Sequence, residues 1–465
     1  MLFNTALFWL FFAAFFVAFH FAARTRVARL WLVVGGSLLF YAAWDVRCVP
    51  LLLGTALLDF WISLHLSRSQ DERRRRVLLA LSIAANLGVL GFFKYARFFA
   101  DSGHGLLGAL GVTVPEPTFS LLLPAGISFY TFQSMSYTID VYRRELPARE
   151  RPEEFLAAVS FFPHLVAGPI IRASVLLPQF EKMEALRWEQ VQRGYLLIAV
   201  GLLKKTVADL LAGPADSLFS ATSAPSALEA WTGALAFTGQ IYADFSGYTD
   251  IAIGVALLLG FVLPPNFDLP YLATSPIDFW RRWHLSLSTW LRDYLYIPLG
   301  GNRNHRYRNL LITMLLGGLW HGANWTFVLW GLYHGLLLVV AHVLVGRFPA
   351  LKETPSAAVR WAKRLGTIYL VVLGWVLFRA ESLPAALRVL KGMHVPTVAS
   401  VFTWPEVLTL LFVVAGLVLC HVASALAERP GLRQRSFVLW PVVAACMAVA
   451  MALGMPGHNF IYFQF

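Results

Sequence analysis

The chain has 465 residues, 58% of them hydrophobic and only 14% charged, with a formal net charge of +12. So large an apolar share exceeds what a water-facing globule of this size could hide, which excludes an ordinary soluble domain and makes the bilayer its solvent. The positive balance does not point to nucleic acid, because the bases sit in connectors beside apolar stretches and form no basic, aromatic-interleaved surface.

In chain order, membrane spans are predicted near residues 5–23, 29–46, 48–66, 77–97, 119–138, 153–171, 190–212, 228–246, 309–326, 327–346, 363–380, 405–427 and 436–455. One or two of them are expected to be re-entrant. The fold class is therefore an all-α polytopic membrane protein with about 10–13 membrane helices plus re-entrant or interfacial helices. The first span has no basic run before it and no small-residue cleavage pattern after it, so it is expected to stay as an anchor. The basic loops RTRVAR from Arg24, SRSQDERRRR from Ser67 and YRRELPARER from Tyr142 are separated by even numbers of spans. Such loops mark the cytoplasmic side, which puts the N-terminus outside the cytoplasm. Cys48, Cys420 and Cys446 lie in or beside apolar spans without C-x-x-C spacing, so neither a disulfide framework nor a metal site is expected.

The whole chain reads as one membrane domain in three zones. Residues 1–118 form apolar scaffold helices, 119–346 a polar-studded core, and 347–465 C-terminal helices ending in the aromatic tail NFIYFQF. Polar and ionisable groups at membrane depth are costly and face a protein interior or a water-filled cavity, so chemistry is sought in the middle zone. Within it, residues 244–303 are the least like a simple span. Pro264, Pro265, Pro270 and Pro276 break regular helix there, and irregular backbone at this depth fits a cavity wall.

Three constellations stand out. In GGLWHGANWTFVLWGLYHG, Gly317 to Gly335, His321 is flanked by Trp320, Asn324 and Trp325 and by glycines that allow close approach. A neutral imidazole in such a place can act as a general base toward a hydroxyl; an interhelical hydrogen bond is the structural alternative. His334 falls on the stripe of Trp320, Phe327 and Trp330 and reads as packing. In DFWRRWHLSLSTWLRDYLYIPLGG, Asp278 to Gly301, Arg281, Arg282 and Arg292 among tryptophans either anchor the segment at the interface or hold phosphates bidentately, with His284 placed to orient a substrate. Gln133, Ser134, Ser136, Asp140 and His164 should point inward, as should Asp244 and Asp250. Of these, Gln133 and Asp244 are candidates for substrate contact, with hydrogen bonding or capping as the alternative.

Together DFSGYTDIAIG, DFWRRWHLSLSTWLRDYLYIPLGGNR and LWHGANW resemble the membrane-bound O-acyltransferase family, and most closely its bacterial alginate O-acetylation branch, over about Ser128 to Gly335. The resemblance implies a central funnel or tunnel, His321 as the catalytic histidine and His284 at the second signature position. It implies an acyl transfer, most simply acetyl, from a cytoplasmic thioester such as acetyl-coenzyme A to an exported polysaccharide (alginate-like, cellulose or peptidoglycan), with no bound cofactor. Asn324 and Trp320 would help hold the substrate. The partners it implies are membrane lipids, an extracytoplasmic acetyl-esterase-like transferase and the polysaccharide synthesis and export machinery, all at the bacterial inner membrane. By the same resemblance Tyr462 in the tail is a candidate transient acyl carrier, with interfacial anchoring as the alternative. Acylation of a lipid or small alcohol, and transport without chemistry, are the rival readings.

Overall fold

The computed structural model describes residues 1–119, 121–353, 355–395, 404–427 and 436–453. Tyr462 and the rest of the aromatic tail lie outside the described residues. Every element among the described residues is helical, and the helices are α1 (Ala6–Val17), α2 (Arg26–Asp45), α3 (Val49–Arg68), α4 (Glu72–Leu90), α5 (Ala96–Ala109), α6 (Ile127–Arg143), α7 (Pro152–Ser160), α8 (Phe162–Leu165), α9 (Ala173–Lys182) and α10 (Trp188–Ser220). They continue with α11 (Ala227–Leu258), α12 (Pro276–Trp280), α13 (Leu285–Leu291), α14 (Arg306–His321), α15 (Trp325–Arg347), α16 (Ala357–Arg379), α17 (Leu383–His394), α18 (Trp404–Ala427) and α19 (Ser436–Leu453). The expected all-α polytopic membrane architecture is what the chain adopts.

Among the described residues, six helical stretches are long and apolar enough to cross a membrane: Arg26–Arg68, Glu72–Ala109, α11, α15, α16 and α18. The first divides at Asp45, whose extended backbone (φ −158°, ψ 116°) separates two helices of 20 residues each. Trp61, Leu336 and Val340 turn outward along such helices, the arrangement expected where the surrounding medium is hydrocarbon. The segment predicted as a span over 153–171 is instead α7 and the four-residue α8. The helix breaks at Phe161, which is not helical (φ −49°, ψ 105°), and a proline follows at Pro163. Residues 244–258, read as part of an irregular cavity wall, are the regular end of α11; irregular backbone starts beyond Leu258 and carries the prolines.

The chain divides into two compact units, one of residues 1–194 with 255–264 and the other of residues 195–254 with 265–465. In the first, α2 packs on α7 and α8, and α3 packs on α4 and α6. Phe162 sits among Phe11, Phe15 and Phe40 with ring centroids 5.1–5.6 Å apart. Among its buried polar groups, Asp59 on α3 accepts from Ser82 Oγ at 2.5 Å and Asn86 Nδ2 at 2.7 Å on α4.

In the second unit Gly201 and Gly247 bring α10 and α11 into backbone contact, since a Cβ on Gly201 would lie 2.6 Å from the Gly247 carbonyl oxygen. Helices α14 and α15 form a hairpin against which α12 and α16 pack. Trp283, Trp330 and Trp375 are fully buried in the aromatic body of this unit.

Candidate functional site

His321 is the last residue of α14, and the turn Gly322 to Asn324 reverses the chain into α15. The hairpin can close this tightly because Gly318 on α14 lies against Gly331 on α15: a Cβ on Gly318 would fall 2.3 Å from the Phe327 carbonyl oxygen and 3.0 Å from Gly331 Cα. His321 is thereby driven into the interior, with 4% of its surface exposed. Its ring meets Trp320, Trp330 and Phe378 edge to face at centroid distances of 5.0, 5.1 and 5.3 Å. Such walls exclude water from around the imidazole.

His284, also fully buried, stands beside it, with ring centroids 6.3 Å apart; Trp320 lies 6.0 Å from His284. His284 is reached by a distinct route, at the end of the turn between α12 and α13. It is left-handed (φ 46°, ψ 55°), a backbone state that costs a non-glycine residue about 1–3 kcal/mol and persists where the surroundings impose it. Asn266 supplies that imposition. Its main-chain oxygen accepts from Leu285 N at 2.9 Å, and its side-chain oxygen accepts from Ser286 N at 3.2 Å and Ser286 Oγ at 2.9 Å and lies 3.0 Å from His284 Nδ1.

The remaining candidates divide. Trp320 belongs with the two histidines. Asn324 uses both ends of its side chain structurally: Oδ1 caps α15 by accepting from Thr326 N at 3.0 Å, and Nδ2 donates to the Glu381 carbonyl at 2.9 Å. Arg282 reaches Asp278 at 2.8 Å and Asp268 at 3.5 Å, Arg292 is paired with Asp293 at 2.6 Å, and Arg281 is exposed. Asp244 on α11 is 3.0 Å from Lys205 on α10, which also holds Asp209 at 2.7 Å. Gln133 belongs to the other compact unit, where its Nε2 donates to the Ala158 carbonyl at 2.9 Å and His164 Nε2 lies 3.2 Å from the same oxygen. His334 packs between Trp280 and Trp330, at 5.3 and 4.9 Å, as its stripe implied.

Two features escaped the sequence reading. Asn266 was passed over as part of a proline-rich break, although a lone amide in PPNF within an apolar region was the available signal. Lys204 and Lys205, adjacent cations inside the span predicted at 190–212, were also missed; intramembrane charges call for buried partners, and Asp209, Asp244 and Asp250 are those partners.

An all-helical membrane body with two imidazoles buried side by side among aromatic rings defines a polytopic membrane protein with an interior polar site. Comparison with known proteins specifies the class. Residues 151–369 match the membrane-bound O-acyltransferase family. The chain is 44% identical over 401 residues to the probable alginate O-acetylase AlgI of Azotobacter vinelandii, covering 84% of this chain and 78% of that protein. It is 38% identical over 429 residues to the peptidoglycan O-acetyltransferase of Helicobacter pylori, covering 84% and 80%. It is 28% identical over 298 residues to the teichoic acid D-alanyltransferase of Streptococcus thermophilus, covering 57% and 71%. The chain belongs to the membrane-bound O-acyltransferase family, and it is an O-acyltransferase.

Proposed function

We propose that this acyltransferase moves an acetyl group from a cytoplasmic thioester, acetyl-coenzyme A or a close equivalent, through the inner membrane for O-acetylation of an exported polysaccharide of the alginate, cellulose or peptidoglycan kind. The observation that carries the reading is the burial of His321 beside His284 in a chain 44% identical to an alginate O-acetylase and 38% identical to a peptidoglycan O-acetyltransferase. His321 takes the proton of the attacking hydroxyl as its oxygen adds to the thioester carbonyl. The tetrahedral intermediate then collapses, the C–S bond breaks, and the proton passes to the departing thiolate.

Trp320 lines the reacting centre, and Asn324 holds the turn that carries His321. Arg281, with Arg282 and Arg292 beside it, attracts the phosphates of the donor at the cytoplasmic mouth of a central passage. Gln133 and Asp244 fit best as members of internal polar networks. A large exported glycan calls for help outside the membrane: an extracytoplasmic acetyl-esterase-like transferase, working with the polysaccharide synthesis and export machinery, completes delivery. Tyr462 is a candidate relay for the acyl group.

The test is sided. Proteoliposomes of known orientation receive labelled acetyl-coenzyme A on one face and an acceptor alcohol on the other. Label crossing to the acceptor only when the donor is on the face bearing Arg73 to Arg76 supports the reading; transfer confined to donor and acceptor on the same face contradicts it.

A further inference from the structure

Asn266 and His284 form a pair whose hydrogen positions follow from their neighbours. The Asn266 side-chain atom that faces the Ser286 main-chain N–H must be the amide oxygen, because a backbone N–H can only donate. The same oxygen lies 3.0 Å from His284 Nδ1, and an oxygen of this kind cannot donate, so Nδ1 carries the proton. In the neutral ring Nε2 is then the lone-pair nitrogen. It is buried and has no hydrogen-bond partner among the described residues. Both residues are nearly inaccessible, with Asn266 1% and His284 0% exposed, and the left-handed backbone at His284 is held by the same asparagine through Leu285 and Ser286.

A neutral His284 in this tautomer accepts hydrogen bonds from Nε2 and donates none from it. It therefore cannot donate a hydrogen bond from Nε2 to an oxyanion. We propose that Asn266 is a positioning residue that locks His284 as the Nδ1–H tautomer, so that its Nε2 lone pair supports the positive charge formed when neighbouring His321 takes the hydroxyl proton. This rests on His321 being the base. In the step, the O–H bond breaks and an N–H bond forms on His321, the oxygen bonds to the thioester carbon, and the proton later leaves with the thiolate. His284 changes no bonds. The arrangement is that of a base with an acceptor ring 6.3 Å away, centroid to centroid, whose tautomer the amide of Asn266 fixes.

Asn266→Leu keeps the approximate volume and removes the oxygen, whereas Asn266→Asp keeps an acceptor and adds a carboxylate, which favours the protonated imidazole. Full-length protein reconstituted in vesicles is assayed with acetyl-coenzyme A and an alcohol acceptor across pH, and ¹⁵N-histidine spectra, with His284→Gln for assignment, read the tautomer. The expected result is an Nδ1–H signature for His284 in the parent protein that is lost in Asn266→Leu, together with a 10- to 100-fold fall in kcat at little changed KM for the donor. Asn266→Asp should retain activity within a few fold while the acid limb of its pH profile moves to higher pH. An Nε2–H signature in the parent protein overturns the proposal, as does an Asn266→Leu protein with normal kcat and an unmoved pH profile. His321→Ala, assayed alongside, separates the two claims: an active His321→Ala removes the base itself, while an inactive one beside a normal Asn266→Leu removes only the role of Asn266.

Discussion

Gly318 and Gly331 touch across the α14–α15 hairpin, with the Phe327 carbonyl of α15 only 2.3 Å from where a Gly318 Cβ would sit. The obstructing atom is backbone, so no side-chain rotation relieves the clash and the helices must part. Gly318→Ala should cost about 1–3 kcal/mol, the usual range for overpacking, and displace His321 one turn on. Thermal unfolding of the purified protein should show the loss, with activity falling further than stability alone explains. Gly88 on α4 offers the control, since nothing lies within 4 Å of its added Cβ. Gly88→Ala should be neutral or stabilising by up to about 1 kcal/mol.

Lys205 stands between Asp209 and Asp244. Removing it leaves two buried carboxylates without that cation, and breaking a buried pair from one side costs about 3–5 kcal/mol. Lys205→Met should therefore reduce membrane abundance sharply. Asp244→Asn should be milder, because Lys205 keeps Asp209, and should leave the KM for the acyl donor unchanged. A selective rise in that KM would restore Asp244 to the substrate site.

Asn324 divides its two functions by atom. Asn324→Asp keeps the cap oxygen for Thr326 N and loses the donor to Glu381, whereas Asn324→Ala loses both. Loss of a cap costs about 1 kcal/mol, so the alanine variant should melt earlier than the aspartate variant. Activity should follow the same order. Equal activity of the two, both far below the parent protein, would point instead to direct contact between the amide nitrogen and substrate.

Among the arginines, Arg281 is exposed while Arg282 and Arg292 have carboxylate partners. If phosphates are held here, Arg281→Ala should raise the KM for acetyl-coenzyme A several fold in dilute buffer. The effect should shrink as salt approaches about 1 M, where screening extends to roughly 3 Å. A salt-independent change would argue for a packing role.

What the sequence disclosed and what it hid follow a physical line. Periodicity and apolar length placed the break between α14 and α15 within a few residues, and the isolation of His321 among aromatics announced its burial, because both signals are local. The short helices at Pro152–Ser160 and Phe162–Leu165 were misread as one span, since apolar composition cannot distinguish a membrane crossing from a buried, broken helix. The double use of Asn324 and the grip of Asn266 on His284, 18 positions away, depend on contacts between segments, which no single stretch of sequence displays. The lysines of α10 were legible as anomalies, but their meaning required the partners on α11.

The central claim is that the imidazole of His321 takes the hydroxyl proton during acyl transfer. Single-turnover transfer from labelled acetyl-coenzyme A should be measured in vesicles for the parent protein and for His321→Ala at equal folded abundance. General-base catalysis is worth about 10²–10⁴-fold, so the variant should bind the donor normally and transfer at least a hundredfold more slowly. Transfer by His321→Ala at the parental rate would contradict the account.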